Sequence, residues 1–256
     1  EGAYKGNSFK WEFYGNDEGN IASVTSNSKV AVKAFSELLT NSQDAMILKG
    51  LSDLGIDPAS SDAPQSPKDA VELLFKIPNG DYSEYKSPSK GYKDLEKNIL
   101  VLPENSSSLA EGPNPTIVVL DKGIGISNAN IKDTILSNTR SNKINSPCLA
   151  GSFSAGFLAV CNFQEHGMRL IITKPCPSSV DKGEEHADHV SFTIMLKIKP
   201  TLLRQWFGKV YKQAAIMHLT IEGKIPHFSS EFIDNDPMIR YDITDSKESV
   251  SKHEAR

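Results

Sequence analysis

The chain has 256 residues, a formal net charge of −4, 38% hydrophobic and 23% charged residues. That is the composition of a soluble globular protein with enough length to bury a sizeable core. The charge balance gives no electrostatic reason to expect nucleic acid or an anionic membrane as partner, a local basic patch aside, and no apolar run approaches the roughly 18 residues of a membrane span.

Three cysteines, Cys148, Cys161 and Cys176, form no CxxC pair, and an odd count points to free thiols in a reducing cytoplasm. No signal peptide is visible, and a chain starting at Glu1 reads as an excised or processed piece. His186 and His189 beside Glu184 and Glu185 invite a metal reading, but the segment is a polar loop and a solvated surface is the simpler account.

In chain order, "FKWEFY" at 9–14 alternates aromatic with charged residues, the pattern of a half-buried strand. Ser26, Asn27 and Ser28 are cap candidates for a helix over about 30–49. From about 50 to 115 the chain is rich in Pro, Ser, Gly and Asp, with one short helix near "PKDAVELLFKI"; it reads as a surface insertion. "TIVVL" at 116–120 suits a central strand buried on both faces. Ser127 can cap a helix expected through about Leu136, and "LAGSFSAGFLAVCNF" passes from loop into helix. "MRLIITK" and "HVSFTIMLKI" read as two strands of one sheet, "AAIMHLTI" as another strand, and the polar last ~20 residues as frayed. The order predicts an α+β, two-layer α/β sandwich with helices on one face of a mixed β-sheet.

Three stretches carry chemistry. In "AFSELLTNSQDAMI", 100° per residue puts Glu37, Asn41 and Asp44 on one stripe about 60° wide. Phe35, Leu38, Leu39, Ser42 and Met46 lie on an adjoining face, so by itself the stripe is equally the solvent side of an amphipathic helix. In "IVVLDKGIGIS", Asp121 ends the apolar strand and Gly123 and Gly125 follow. Glycines there admit positive φ and close approach, and a carboxylate at the end of a buried strand needs a partner, for which a purine amino group is suited. Simple strand-to-turn punctuation explains one glycine but explains the D-x-G-x-G spacing less well. In "GSFSAGF", Gly151 and Gly156 lead into a helix at Phe157. Such a loop presents N–H groups and a helix dipole to phosphate, although a G-x-x-x-x-G spacing alone also marks tight connections. It is neither a P-loop nor a dinucleotide fingerprint.

In order, E-x-x-x-N-x-x-D-A, D-x-G-x-G and G-x-F-x-x-G-F resemble the motifs of the GHKL ATPase superfamily, which includes DNA gyrase, the ninety-kilodalton heat-shock chaperones, histidine kinases and mismatch-repair ATPases. The resemblance spans about 34–160 and implies the Bergerat ATP-binding fold, one domain over 1–256 that heads a longer chain, and Mg²⁺ with ATP or ADP as ligands. It implies that Glu37 is the general base and that Asn41 ligates Mg²⁺. Asp44 and Ala45 would lie near the ribose and adenine, and Asp121 would receive the adenine amino group above Gly123, Gly125 and Ile126. Residues 137–155 would form a mobile lid, with Gly151, Ala155, Gly156 and Phe157 near the phosphates. Lys143 matches a lid Ser-x-Lys phosphate contact, though a solvated loop lysine accounts for it equally.

Ser154 stands where the family's loop usually carries a third glycine. A side chain there crowds the triphosphate or alters lid closure, and it favours a second reading, a nucleotide-sensing or scaffolding module that binds ATP without hydrolysis. Thr193 is the candidate for a late-strand threonine used near adenine. The resemblance also implies a nucleotide-dependent homodimer or partner domain. A narrower likeness, carried by "LAGSFSAGFLAVCNFQEHGMRLIITK" and "AIMHLTIEGKIPHF", is to large bacterial GHKL proteins linked to phage defence.

Overall fold

The computed structural model describes residues 10–21, 30–81, 97–104, 116–137, 143, 145–151, 156–163, 168–180 and 189–224. Among them are strand β1 (Glu12–Phe13), helices α1 (Ala31–Asp53) and α2 (Pro67–Phe75), and strands β2 (Ile99–Glu104) and β3 (Thr116–Asp121). These are followed by α3 (Asn128–Ile131), α4 (Gly156–Phe163), β4 (Arg169–Thr173), β5 (His189–Ile198), α5 (Pro200–Phe207) and β6 (Ala215–Lys224). No helix of the described residues is long and apolar enough to cross a membrane.

α1 runs for 23 residues and starts after Val30, which supplies no side-chain cap; the expected caps at 26–28 lie outside the described residues. Its C-terminus closes on Gly55 at φ +71, with Gly55 N–H donating to Ser52 O and Ile56 N–H to Leu51 O. Those two bonds satisfy carbonyls that the helix leaves unpaired, and they turn Ile56 back onto the helix. Ser66 caps α2 by accepting from Asp69 N–H at 3.2 Å, with Pro67 opening the helix. α2 then packs on α1 through Ala70 and Leu74, beside Ile47, Leu51, Cys148 and Leu149. The stretch read as a surface insertion therefore contributes core: Leu51, Ala63, Ala70, Val71 and Ile77 are all buried.

The fold is α+β, and every strand pairing among the described residues is antiparallel, so the expected mixed sheet is not what forms. The main sheet has the order β1-β6-β5-β4, and β2 and β3 form a separate two-stranded ribbon. β3 is consequently no central strand. It pairs with β2, Ile117 is 45% exposed, and none of its residues is buried. The apolar run that pointed to two-sided burial is ambiguous in kind, because a continuous hydrophobic stretch identifies a strand without saying what covers it.

Alternation along the sheet sorts its side chains into two faces. Ile171, Met195 and Ile216 pack with Leu38 of α1 and with Phe157, Leu158 and Cys161 of α4, joined by Tyr14, Ile131 and Leu136. Arg169 donates to the carbonyls of Val160 and Cys161, capping the last turn of α4. Leu196, Ile198, Ala215 and Met217 take the opposite face under Leu203 of α5, with Trp11, Phe13 and Tyr211 alongside. α5 thus places a helix on the second face, and helices on one face alone is an expectation the structure corrects. No helix is expected at "PTLLRQWF" from the sequence pattern above, although Pro200 and Gly208 bound it as helix start and stop signals. All three cysteines are free, and burial raises the Cys161 thiol to about 12.

His218 lies in the sheet opposite Glu12 and Met195 and is 1% exposed, with the Phe13 backbone beside its ring. Burial is the main cause that lowers its pKa; Glu12 opposes the shift, and Lys132, which pairs with Glu12 at 2.9 Å, adds to it. The folded protein therefore holds His218 neutral where the unfolded chain already binds a proton. Stability from this group is present above about pH 6.5 and is lost as pH falls from there towards the depressed folded value. Urea denaturation at about pH 7.5 and about pH 5.5 checks this: the wild type loses stability between them, and His218→Leu removes that slope. Glu12, whose carboxyl Lys132 holds below its ordinary value of 4.5, titrates at lower pH and leaves this window clear.

Candidate functional site

α1 is the wall against which the other motif stretches meet. Asp44, fully buried, accepts from Ala150 N–H at 2.9 Å and Gly151 N–H at 3.0 Å, and pairs with the Lys143 ammonium at 2.7 Å. The same ammonium donates to Asn41 Oδ1 at 3.2 Å. Glu37, one turn earlier, rests its carboxylate on Gly156, the first residue of α4, where a Cβ would overlap it. A carboxylate at that end of a helix meets the positive side of the helix dipole. A Cβ at Gly151 would stand 2.8 Å from Asp44 Oδ2, so the loop approaches α1 as closely as glycine allows.

The D-x-G-x-G stretch meets α1 from another side. Ser42 donates its hydroxyl to Asp121 Oδ2 at 3.0 Å, Gly123 N–H donates to Asp121 Oδ1 at 3.0 Å, and Ile124 N–H donates to the Ala45 carbonyl at 3.0 Å. A Cβ at Gly123 would collide with that of Ala45. Gly125 has φ +68 and lies against the Lys174 carbonyl, with no space for a side chain. The next two links reach β4 and the segment after it: Ile126 N–H donates to Thr173 Oγ1 at 2.8 Å, and Cys176 N–H to Ile124 O at 2.7 Å.

Glu37, Asn41, Asp44, Ala45, Lys143, Gly151 and Gly156 are therefore one neighbourhood, with Asp121, Gly123, Gly125 and Ile126 joined to it through Ser42 and Ala45. Phe157 points into the core. Ser154 and Ala155, and most of the expected lid over 137–155, lie outside the described residues. Asp121 sits at an exposed strand end and is satisfied by Ser42 and Gly123, so burial does not force it to take a ligand. Thr193 is bonded to Thr220 at 2.9 Å within the sheet, whereas the threonine that meets the glycine stretch is Thr173. Ser42 and Thr173 escaped sequence reasoning. The available signals were an α1 hydroxyl on the face assigned to packing and a hydroxyl closing the strand "RLIIT".

No group of three or more His, Cys, Asp or Glu capable of holding a metal occurs among the described residues. Of the residues that meet here, Asn41 offers one neutral side-chain oxygen, and it accepts from the Lys143 ammonium. A groove of about 360 Å³ lies on the opposite side of α1, between Met46, Gly50 and Asp53 and the α2 residues Leu73 and Leu74, and shares none of the motif residues. The chain matches no family model, no curated protein and no solved structure.

Removing Asp44 strands a part-buried ammonium and two loop amides, a loss on the order of 3–5 kcal/mol for a broken buried pair. Asp44→Ala should lower the unfolding free energy in urea by about 3 kcal/mol or more. Gly125→Ala, which adds a side chain at positive φ against a carbonyl, should cost more than about 2 kcal/mol in the same assay.

Proposed function

We propose that the chain is a GHKL-type ATP-binding module with the Bergerat fold, which binds ATP with Mg²⁺, hydrolyses it slowly and acts as a conformational switch for a partner domain or second protomer. One observation carries the reading. Two stretches far along the chain, each carrying one of the family-like motifs, converge on the motif of α1 through the contacts Asp44–Gly151, Glu37–Gly156 and Ala45–Gly123. A chance set of polar residues has no reason to converge in this way.

In this reading Glu37 accepts a proton from the water that attacks the γ-phosphate. Asn41 ligates Mg²⁺, which supplies charge to offset the phosphates. Asp121 receives the adenine amino group over Gly123 and Gly125, and the N-terminus of α4 at Gly156 meets the phosphates, while the Gly151 N–H holds the loop to Asp44. Slow turnover fits a switch, in which nucleotide shifts a population between two states by differential contacts. A cytoplasmic setting belongs to the same proposal, and the narrower likeness makes bacterial phage defence the first setting to try.

Calorimetric Mg-ATP binding and ADP release separate the roles. Glu37→Ala should bind ATP with turnover reduced at least about 100-fold, the lower range for a lost general base. Asp121→Asn should lose binding, and Asn41→Ala should lose the enhancement by Mg²⁺. Wild-type binding without ADP release would replace hydrolysis with nucleotide sensing, and no binding at all would overturn the proposal.

A further inference from the structure

We infer that Lys143 is a built-in cation of the site, standing at Asn41 Oδ1 in place of a divalent ion, so that nucleotide binds there with or without metal. The inference rests on the ATP-binding reading above and adds how the site is regulated by metal.

The geometry is specific. The ammonium bridges Asn41 Oδ1 at 3.2 Å and Asp44 Oδ2 at 2.7 Å. The carboxylate is 1% exposed and the lysine side chain 21%, so the pair is shielded from solvent screening. A surface lysine does not take this place; Lys143 is held in it by a buried carboxylate that requires a counterion.

Asn41 is neutral and adds no charge to the site, so the amide oxygen is a ligand for whichever cation reaches it. A divalent ion on that oxygen would sit beside the ammonium and be repelled by it, which makes the two cations exclusive there. Lysine suits the exchange, since its ammonium is a compact point charge on a flexible stem. With the ammonium in place, Asp44 is neutralised at 2.7 Å and adds no negative charge beside a bound polyphosphate. Without it, Asp44 would be a buried negative charge beside the same phosphates, and only a metal ion would offset it.

The test is the ratio of the ATP dissociation constant in excess EDTA to that in Mg²⁺, measured by calorimetry at matched ionic strength. The wild type should bind under both conditions with a ratio below about tenfold, and Lys143→Met should raise the ratio at least about tenfold, about 1.4 kcal/mol of new metal dependence. An equal loss in both buffers would make Lys143 a simple phosphate contact and overturn the inference, leaving the ATP reading intact. Failure of the wild type to bind in either buffer would overturn the ATP reading and this inference with it. Should Lys143→Met not fold, Lys143→Gln removes the charge but keeps a donor for Asp44; it should bind ATP at least about tenfold more weakly in EDTA than in Mg²⁺. A ratio unchanged from the wild type in that variant would overturn the inference.

Discussion

A carboxylate with no exposed surface has to be neutralised and hydrogen-bonded where it lies, and Asp44 achieves this with groups far away in the chain. Its partners are the Lys143 ammonium and the amides of Ala150 and Gly151, the latter two 106 and 107 residues further on. The glycine-bearing loop is thereby tied to the middle of α1, and Glu37 and Asn41 are carried to the same edge by helical spacing. Replacing the aspartate would unsettle charge, loop position and helix contact together.

Close backbone approach does the corresponding work on the other side of α1. Ala45 and Gly123 are in contact because neither carries more than a methyl group, and the Ala45 carbonyl receives Ile124 N–H. Gly125, at positive φ, then lets the chain pass under Lys174 and bond to Thr173 and Cys176. α1 thus links the β2–β3 ribbon to the main sheet, and two small-residue contacts set the spacing.

The main sheet is packed on both faces, and its inner face carries polar groups that the fold must accommodate. Arg169 is used to cap the carbonyls of α4, Thr193 and Thr220 pair with each other, and His218 is kept neutral by burial beside the Glu12–Lys132 pair. Each of these is a polar residue whose solution is tertiary, and such groups cost stability when the partner is removed.

Much of the local structure was legible in the sequence. The amphipathic period of 34–47, the alternation in "HVSFTIMLKI" and "AAIMHLTI", and the glycine punctuation after Asp121 and around Gly151 identify α1, β5, β6 and the two glycine-bearing segments, because each depends on neighbours within a few residues. β2, α5 and the exposure of β3 did not follow, since a short apolar run reads alike as buried strand, ribbon or helix until its cover is known. The site divides in the same way. That Glu37, Asn41 and Asp44 share an edge is helical geometry and belongs to the sequence. That Asp44 is buried, that Lys143 bridges it to Asn41, and that Ser42 and Thr173 serve Asp121 and Ile126 were decided only by the tertiary structure, because a hydrogen bond across some 50 to 100 residues leaves no periodic trace in the chain.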